Sequence, residues 1–170
     1  MTRIALIIIL LSLTKSSYTQ NKPTNDKAAI KTVISNFMNY LVHKDSVQFY
    51  SLFHKDPVIW IGVYKEKTQQ NRLAKDSTKK NYFSSTYKSF YNSISNLGED
   101  EEKFYNINIF NDESVASASF DYSFWGKGKK INWGKESWHL VKIKDQWKIV
   151  SIIFSMDFEG VNPEPKKTMR

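Results

Sequence analysis

From residue 104 to residue 158, apolar and polar positions alternate in long runs that predict a series of β-strands. Residues 104–110 set Tyr105, Ile107 and Ile109 against Asn106 and Asn108. Residues 115–125 set Ala116, Ala118, Phe120, Tyr122 and Phe124 against Ser117, Ser119, Asp121 and Ser123. A period of two places each set on its own face of a pleated strand. Residues 131–143 predict a long strand, bent or bulged near Gly134. Residues 147–156 predict a last strand in which Ile149, Val150, Ile152, Ile153 and Phe154 leave no polar face. The polar or glycine-containing stretches 111–113, 126–129 and 144–146 are the turns between them.

Ahead of the strands the apolar period changes. Ile30, Val33, Ile34, Phe37, Met38 and Leu41 recur at three- and four-residue steps, which predicts an amphipathic helix capped by Thr24 or Asn25. Asp45 or Ser46 opens a shorter helix holding Val47, Phe49, Leu52 and Phe53, and Pro57 stops it. Residues 58–64 form an apolar strand covered on both faces. Residues 65–75 are polar and read as a loop. A third helix is expected from Asp76 or Ser77 through Tyr82, Phe83, Tyr87, Phe90, Tyr91 and Ile94. Residues 98–102, Gly-Glu-Asp-Glu-Glu, read as a solvated acidic break rather than a catalytic pair. Helices first and a curved antiparallel sheet second define an α+β fold that closes a cone-shaped pocket.

The N-terminus changes the picture of the compartment. Met1-Thr2-Arg3 is positive, residues 4–13 are almost wholly apolar, and residues 14–20 are polar and small. That order is expected of a secretory signal peptide, and the apolar run is too short for a spanning helix. The expected organisation is a signal peptide over residues 1–20, one domain over residues 21–161 and a disordered tail over residues 162–170. The product is expected to be exported, periplasmic or secreted, and off the membrane once the signal is removed. Absence of cysteine excludes disulfides, thiolate catalysis and zinc–thiolate sites. The net charge of +8 falls to about +6 without Arg3 and Lys15, and the lysines are interspersed with acids. Their densest groups are Lys127, Lys129 and Lys130 in a turn and Lys166, Lys167 and Arg170 in the tail, so no nucleic-acid partner is expected.

The stretch Gly134-Lys135-Glu136-Ser137-Trp138-His139-Leu140-Val141-Lys142, followed by Trp147-Lys148-Ile149-Val150-Ser151, carries a family resemblance. With the first helix and the Phe49–Phe53 helix running into the first strand, it resembles the NTF2-like (nuclear transport factor 2-like) superfamily. Within it, the likeness is to the SnoaL-like or DUF4440-like branch. The resemblance spans about residues 25–159. It implies three or four N-terminal helices packed on a curved sheet of about six strands, and a frequent homodimer through that sheet. Members include isomerases, cyclases, dehydratases and non-enzymes, so the fold does not decide the function.

Isomerases of the superfamily place a general base and hydrogen-bond donors in the cone. Asp121 and His139, on neighbouring strands, are the candidate base and partner, provided their side chains meet. Asp121 between serines also fits an ordinary solvated sheet face, and the donor-Tyr and base-Asp pattern has no residue-by-residue match here. Tyr50, Trp60, Tyr64, Tyr87 and Ser151 are the candidate ligand-binding residues at the mouth of the cone. His43 and His54 lack the spacing of a metal site, and no motif calls for a cofactor. The leading expectation is a pocket for a small apolar or aromatic ligand. The alternatives are an isomerase- or dehydratase-type enzyme, and a module that binds a partner through its sheet.

Overall fold

The computed structural model describes residues 26–55, 57–95 and 100–166; the expected signal peptide and the caps Thr24 and Asn25 lie outside them. Helix α1 (Asp26–Val42) buries Ile30, Ile34, Phe37 and Leu41, one stripe of the expected period. Helix α2 (Ser46–Ser51) starts where Asp45 Oδ1 accepts from the Gln48 amide at 3.0 Å. Strand β1 (Ile59–Tyr64) follows.

The stretch from 65 to 95 differs from its sequence reading. The polar residues expected as a loop form helix α3 (Glu66–Lys75). It lacks an apolar stripe and docks through polar bonds instead. Thr68 is buried, and its hydroxyl donates to Asp157 Oδ1 at 2.7 Å. Arg72 ties Gln69 Oε1 and the Lys80 carbonyl, each at 2.7 Å. Periodicity of apolar residues cannot detect a helix held this way. The single aromatic helix expected from Asp76 onward is divided. Asp76 makes a turn by accepting from the Thr78 amide. Strand β2 (Tyr82–Ser84) pairs with β1, and only helix α4 (Tyr87–Ser95) remains, its start held by Thr86 Oγ1 on the Ser89 amide. The open edge of β1 claims Tyr82 and Phe83, residue types that fit a pleated surface well.

Strands β3 (Glu101–Asn111), β4 (Val115–Gly126), β5 (Lys129–Ile143) and β6 (Gln146–Phe158) complete a six-stranded sheet of order β2-β1-β6-β5-β4-β3. It is antiparallel except for the β1–β6 pair, which is parallel, so the sheet is mixed. Helix α1 covers the face that carries Ala118, Phe120, Trp138, Leu140 and Ile152. Phe37 is the hub: its ring lies 4.9 Å from Trp138, 5.0 Å from Phe49 and 5.7 Å from Phe90.

Two departures from strict pairing decide which side chains face inward. Between β5 and β6 the register shifts so that His139 pairs with Ser151 and Leu140 with Ile149. Val150 is the extra residue of a bulge. Ile149 and Ile152 therefore both enter the core, while Ser151 lies opposite His139. The last strand alternates after all once the bulge is counted, and Ile153 alone of its isoleucines is exposed. At Gly134 the register is unbroken, but the strands approach so closely that a Cβ would stand 1.8 Å from the Ser155 carbonyl oxygen. Only glycine fits there.

Residues 162–166, expected as the start of a disordered tail, instead lie against the sheet. The Trp133 indole donates to the Asn162 carbonyl at 2.8 Å, and Asn162 Nδ2 donates to Asp157 Oδ2 at 2.8 Å. Glu164 accepts from Lys130 Nζ at 2.7 Å and from the Tyr105 hydroxyl. Low hydrophobicity suggested disorder, but polar anchoring to a folded surface needs no apolar residues.

Candidate functional site

The concave face of the sheet and helices α1 and α4 enclose a partly open cavity of about 290 Å³. Its walls are mainly aromatic: Phe37 from α1, Phe90 from α4, Trp60 from β1, Phe83 from β2, Phe124 from β4 and Phe154 from β6. Strand period explains the selection. Tyr122 and Phe124 share the inward parity of β4 with Ala118 and Phe120. Asn132, Glu136 and Trp138 share the inward parity of β5.

Two carboxyl groups enter this aromatic space. Glu136 is 6% exposed, and its Oε2 accepts from the Trp138 indole at 2.5 Å. Glu102, near the start of β3, is hydrogen-bonded to Glu136. β4 lies between their strands, so the curvature of the sheet is what lets the two carboxyls meet. Burial raises both groups above the ordinary carboxyl range. Next to burial, the charge of Glu136 and its hydrogen bond hold the proton on Glu102. The Trp138 and Glu102 donors oppose burial at Glu136, which is raised to about 7. Glu102 is therefore the more firmly protonated member of the pair, and Glu136 the first to ionise as the pH rises. Tyr122 completes the polar floor; its hydroxyl donates to the Ser155 carbonyl at 3.1 Å, and burial raises its phenol further.

Of the residues proposed from sequence, Trp60 lines the cavity. Asp121 lies on the outer face, where it accepts from Lys135 Nζ at 2.7 Å and from Asn106 Nδ2 at 2.6 Å. His139 is exposed, opposite Ser117 and Ser151. Asp121 pairs with Lys135, four positions from His139, so the two stand ~13 Å apart along the strand and do not meet. Tyr87 stacks on Phe53 with centroids 4.3 Å apart, and Tyr50 packs against Tyr87 and Tyr91 between helices. Tyr64 lies under the Arg72 guanidinium, 3.5 Å from its centroid. Ser151 is buried opposite His139 on the outer side of β6.

The acidic pair was missed for two different reasons. Glu136 shares the strand parity of Trp138 and Leu140, so an acid on an apolar face was a usable signal. Glu102 sits in an acidic run that reads as solvent-facing; only its place in β3 turns it inward. Among the described residues, no group of three His, Asp or Glu side chains is arranged to hold a metal ion.

No protein-family model matches the chain, and no curated protein matches it. Solved structures do. An NTF2-like protein of unknown function from Pseudomonas putida aligns at a TM-score of 0.57 and 10% identity, over 85% of this chain and 96% of that one. A candidate dehydratase of the NTF2-like family from Streptomyces avermitilis aligns at 0.55 and 12% identity, over 78% and 96%. A candidate scytalone dehydratase from Novosphingobium aromaticivorans aligns at 0.53 and 17% identity, over 78% and 84%. The chain has the NTF2-like fold: a helix-backed, curved mixed sheet around a pocket.

Proposed function

We propose that the protein binds a small, largely apolar or aromatic molecule inside the cone. The observation that carries this reading is the cavity of about 290 Å³, aromatic on most sides with a few convergent polar groups. Such a composition is what ligand pockets need, and the volume suits a ligand of one or two rings. Ser93 lies at the cavity on an exposed turn of α4. Single-ring aromatic compounds are expected to bind in ligand-observed NMR, and Ser93→Trp to abolish the binding by filling the space. Equal binding by the variant would place the ligand elsewhere.

A second reading, acid–base catalysis of the isomerase or dehydratase kind, draws on the Glu102–Glu136 pair. Glu136 would take a proton from a substrate while Glu102 supplies one. The two candidate dehydratases of the same fold are compatible with this reading without assigning it. Neither Asp121 nor His139 has a part in it.

Export and assembly complete the proposal. The charged-apolar-polar order of residues 1–20 supports a secreted or periplasmic product. A homodimer through the outer face of the sheet rests on a smaller apolar area than the sequence suggested, with exposed Ile153, Val115 and Phe110 as its main elements. Protein recovered from the exported fraction is expected to begin near Gln20 or Asn21 by intact mass. Light scattering is expected to give twice the chain mass, falling to one chain in Ile153→Lys. An uncleaved Met1 removes the export claim, and a concentration-independent monomer removes the dimer.

A further inference from the structure

The cavity's charge is at odds with the rest of the molecule. The chain carries 25 lysines and arginines against 17 acids. Yet among the described residues none of those cations lines the cavity, whereas two glutamates do. β4 contributes Tyr122, whose hydroxyl is already bonded to Ser155. From β6 come Phe154 and Met156, from α1 Phe37, from α4 Phe90, Ser93 and Ile94, and from β1 and β2 Trp60 and Phe83. None of these is cationic. A carboxylate buried without a counter-ion is costly, and a protein ordinarily supplies a lysine or arginine beside it. Here aromatic side chains line the same cavity, and an aromatic ring attracts positive charge placed over its face.

We propose that the ligand of this cavity is an organic cation: an amine on a small apolar or aromatic body, its nitrogen seated at Glu102 and Glu136. This rests on the reading of the cavity as a ligand site and adds the chemical class. An ammonium group supplies the counter-ion that the pocket lacks, and its N–H groups donate to carboxylate oxygens in charge-assisted hydrogen bonds. Its apolar body occupies the space between Trp60, Phe90 and Phe154. The same charge rejects a carboxylate or phosphate ligand.

Binding is coupled to one proton. In the free protein the pair holds a proton between its oxygens. When the ammonium enters, it meets both carboxyls, Glu102 gives up its proton to solvent, and the site holds two carboxylates around one cation. The reverse step returns the proton to the pair and frees the ligand as its ammonium. A neutral ligand with an alcohol in place of the amine displaces no proton.

Three probes with one ring separate the possibilities: 2-phenylethylamine, 2-phenylethanol and phenylacetate. Calorimetric titration in two buffers of different ionisation heat reads both affinity and protons released. The amine is expected to bind at least ~tenfold more tightly than the alcohol, the increment of one favourable charge contact. Phenylacetate is expected not to bind. Proton release is expected with the amine, should be absent with the alcohol, and should fall in Glu102→Gln. Glu136→Gln, an isosteric change that keeps an acceptor for Trp138, should bring the amine down to the level of the alcohol. Alcohol and amine binding equally, phenylacetate binding best, or a preference that survives Glu136→Gln would each overturn the inference while leaving a ligand pocket. If none of the three binds, the pocket reading fails, and this inference with it.

Discussion

The domain is expected to lose stability as the pH rises through neutrality. The cause is the Glu102–Glu136 pair. Both groups have folded-state pKa values above their ordinary ones, because burial penalises the carboxylates. The folded protein therefore binds more protons than the unfolded chain, and stability falls with pH wherever that difference persists. For Glu136 the window runs from its ordinary 4.5 to about 7. Below that window its contribution is fully present; above it, the contribution is lost. At about 1.4 kcal/mol per pH unit, the loss is on the order of 3 kcal/mol. Asp76 and Asp112, held below the ordinary range by hydrogen-bond donors, act in more acid solution and with the opposite sign. Urea midpoints measured on either side of the window are the test. Wild type should unfold at lower urea on the alkaline side, and Glu136→Gln should flatten the difference and be the more stable protein there. A midpoint that rises with pH, or a variant with the wild-type slope, would count against a shared proton in the cone.

The largest loss of stability from one core substitution is expected at Trp138. Its side chain is fully buried. Its ring centroid lies 4.9 Å from Phe37, 5.1 Å from Phe120 and 5.6 Å from Phe104, so it joins α1 to β3, β4 and β5. Its indole also donates to Glu136. Trp138→Ala removes both the packing and the donor. The packing alone is worth roughly 3–5 kcal/mol in a core that cannot collapse into the space. Set against a total of about 5–15 kcal/mol, that is a large share of the stability of such a domain. Calorimetry should register a melting point at least ~10 °C lower. Trp138→Phe keeps a ring but loses the donor and part of the buried volume, so it should cost less than the alanine variant and push Glu136 further up. Melting within ~2 °C of wild type for the alanine variant would show that Phe37 does not depend on this contact.

Much of the architecture was legible because it is local. The inward set of β4, from Ala116 to Phe124, follows from a period of two in the sequence, and the stripe of α1 from a period near four. These patterns report which residues need burial, and the chain satisfies them without long-range information. Helix α3 escaped because its buried residues are Thr68 and Gln69, whose partners lie in β6 and in the loop after the helix. Strand β2 escaped because an aromatic-rich segment fits a helix or an open sheet edge equally well, and only β1 decides between them. The two apolar faces read into the last strand vanished with a bulge at Val150, which shifts the parity by one.

The site divides the same way. The sequence by itself determined that this chain would build an aromatic-walled α+β cone and that Glu136 would share a face with Trp138. Tertiary structure alone decided that Asp121 and His139 stand apart on the outer face and that Glu102 turns inward to meet Glu136. The reason is physical: facing direction follows from the local period of a strand, whereas the meeting of two side chains depends on register, bulges and curvature across strands that are not neighbours.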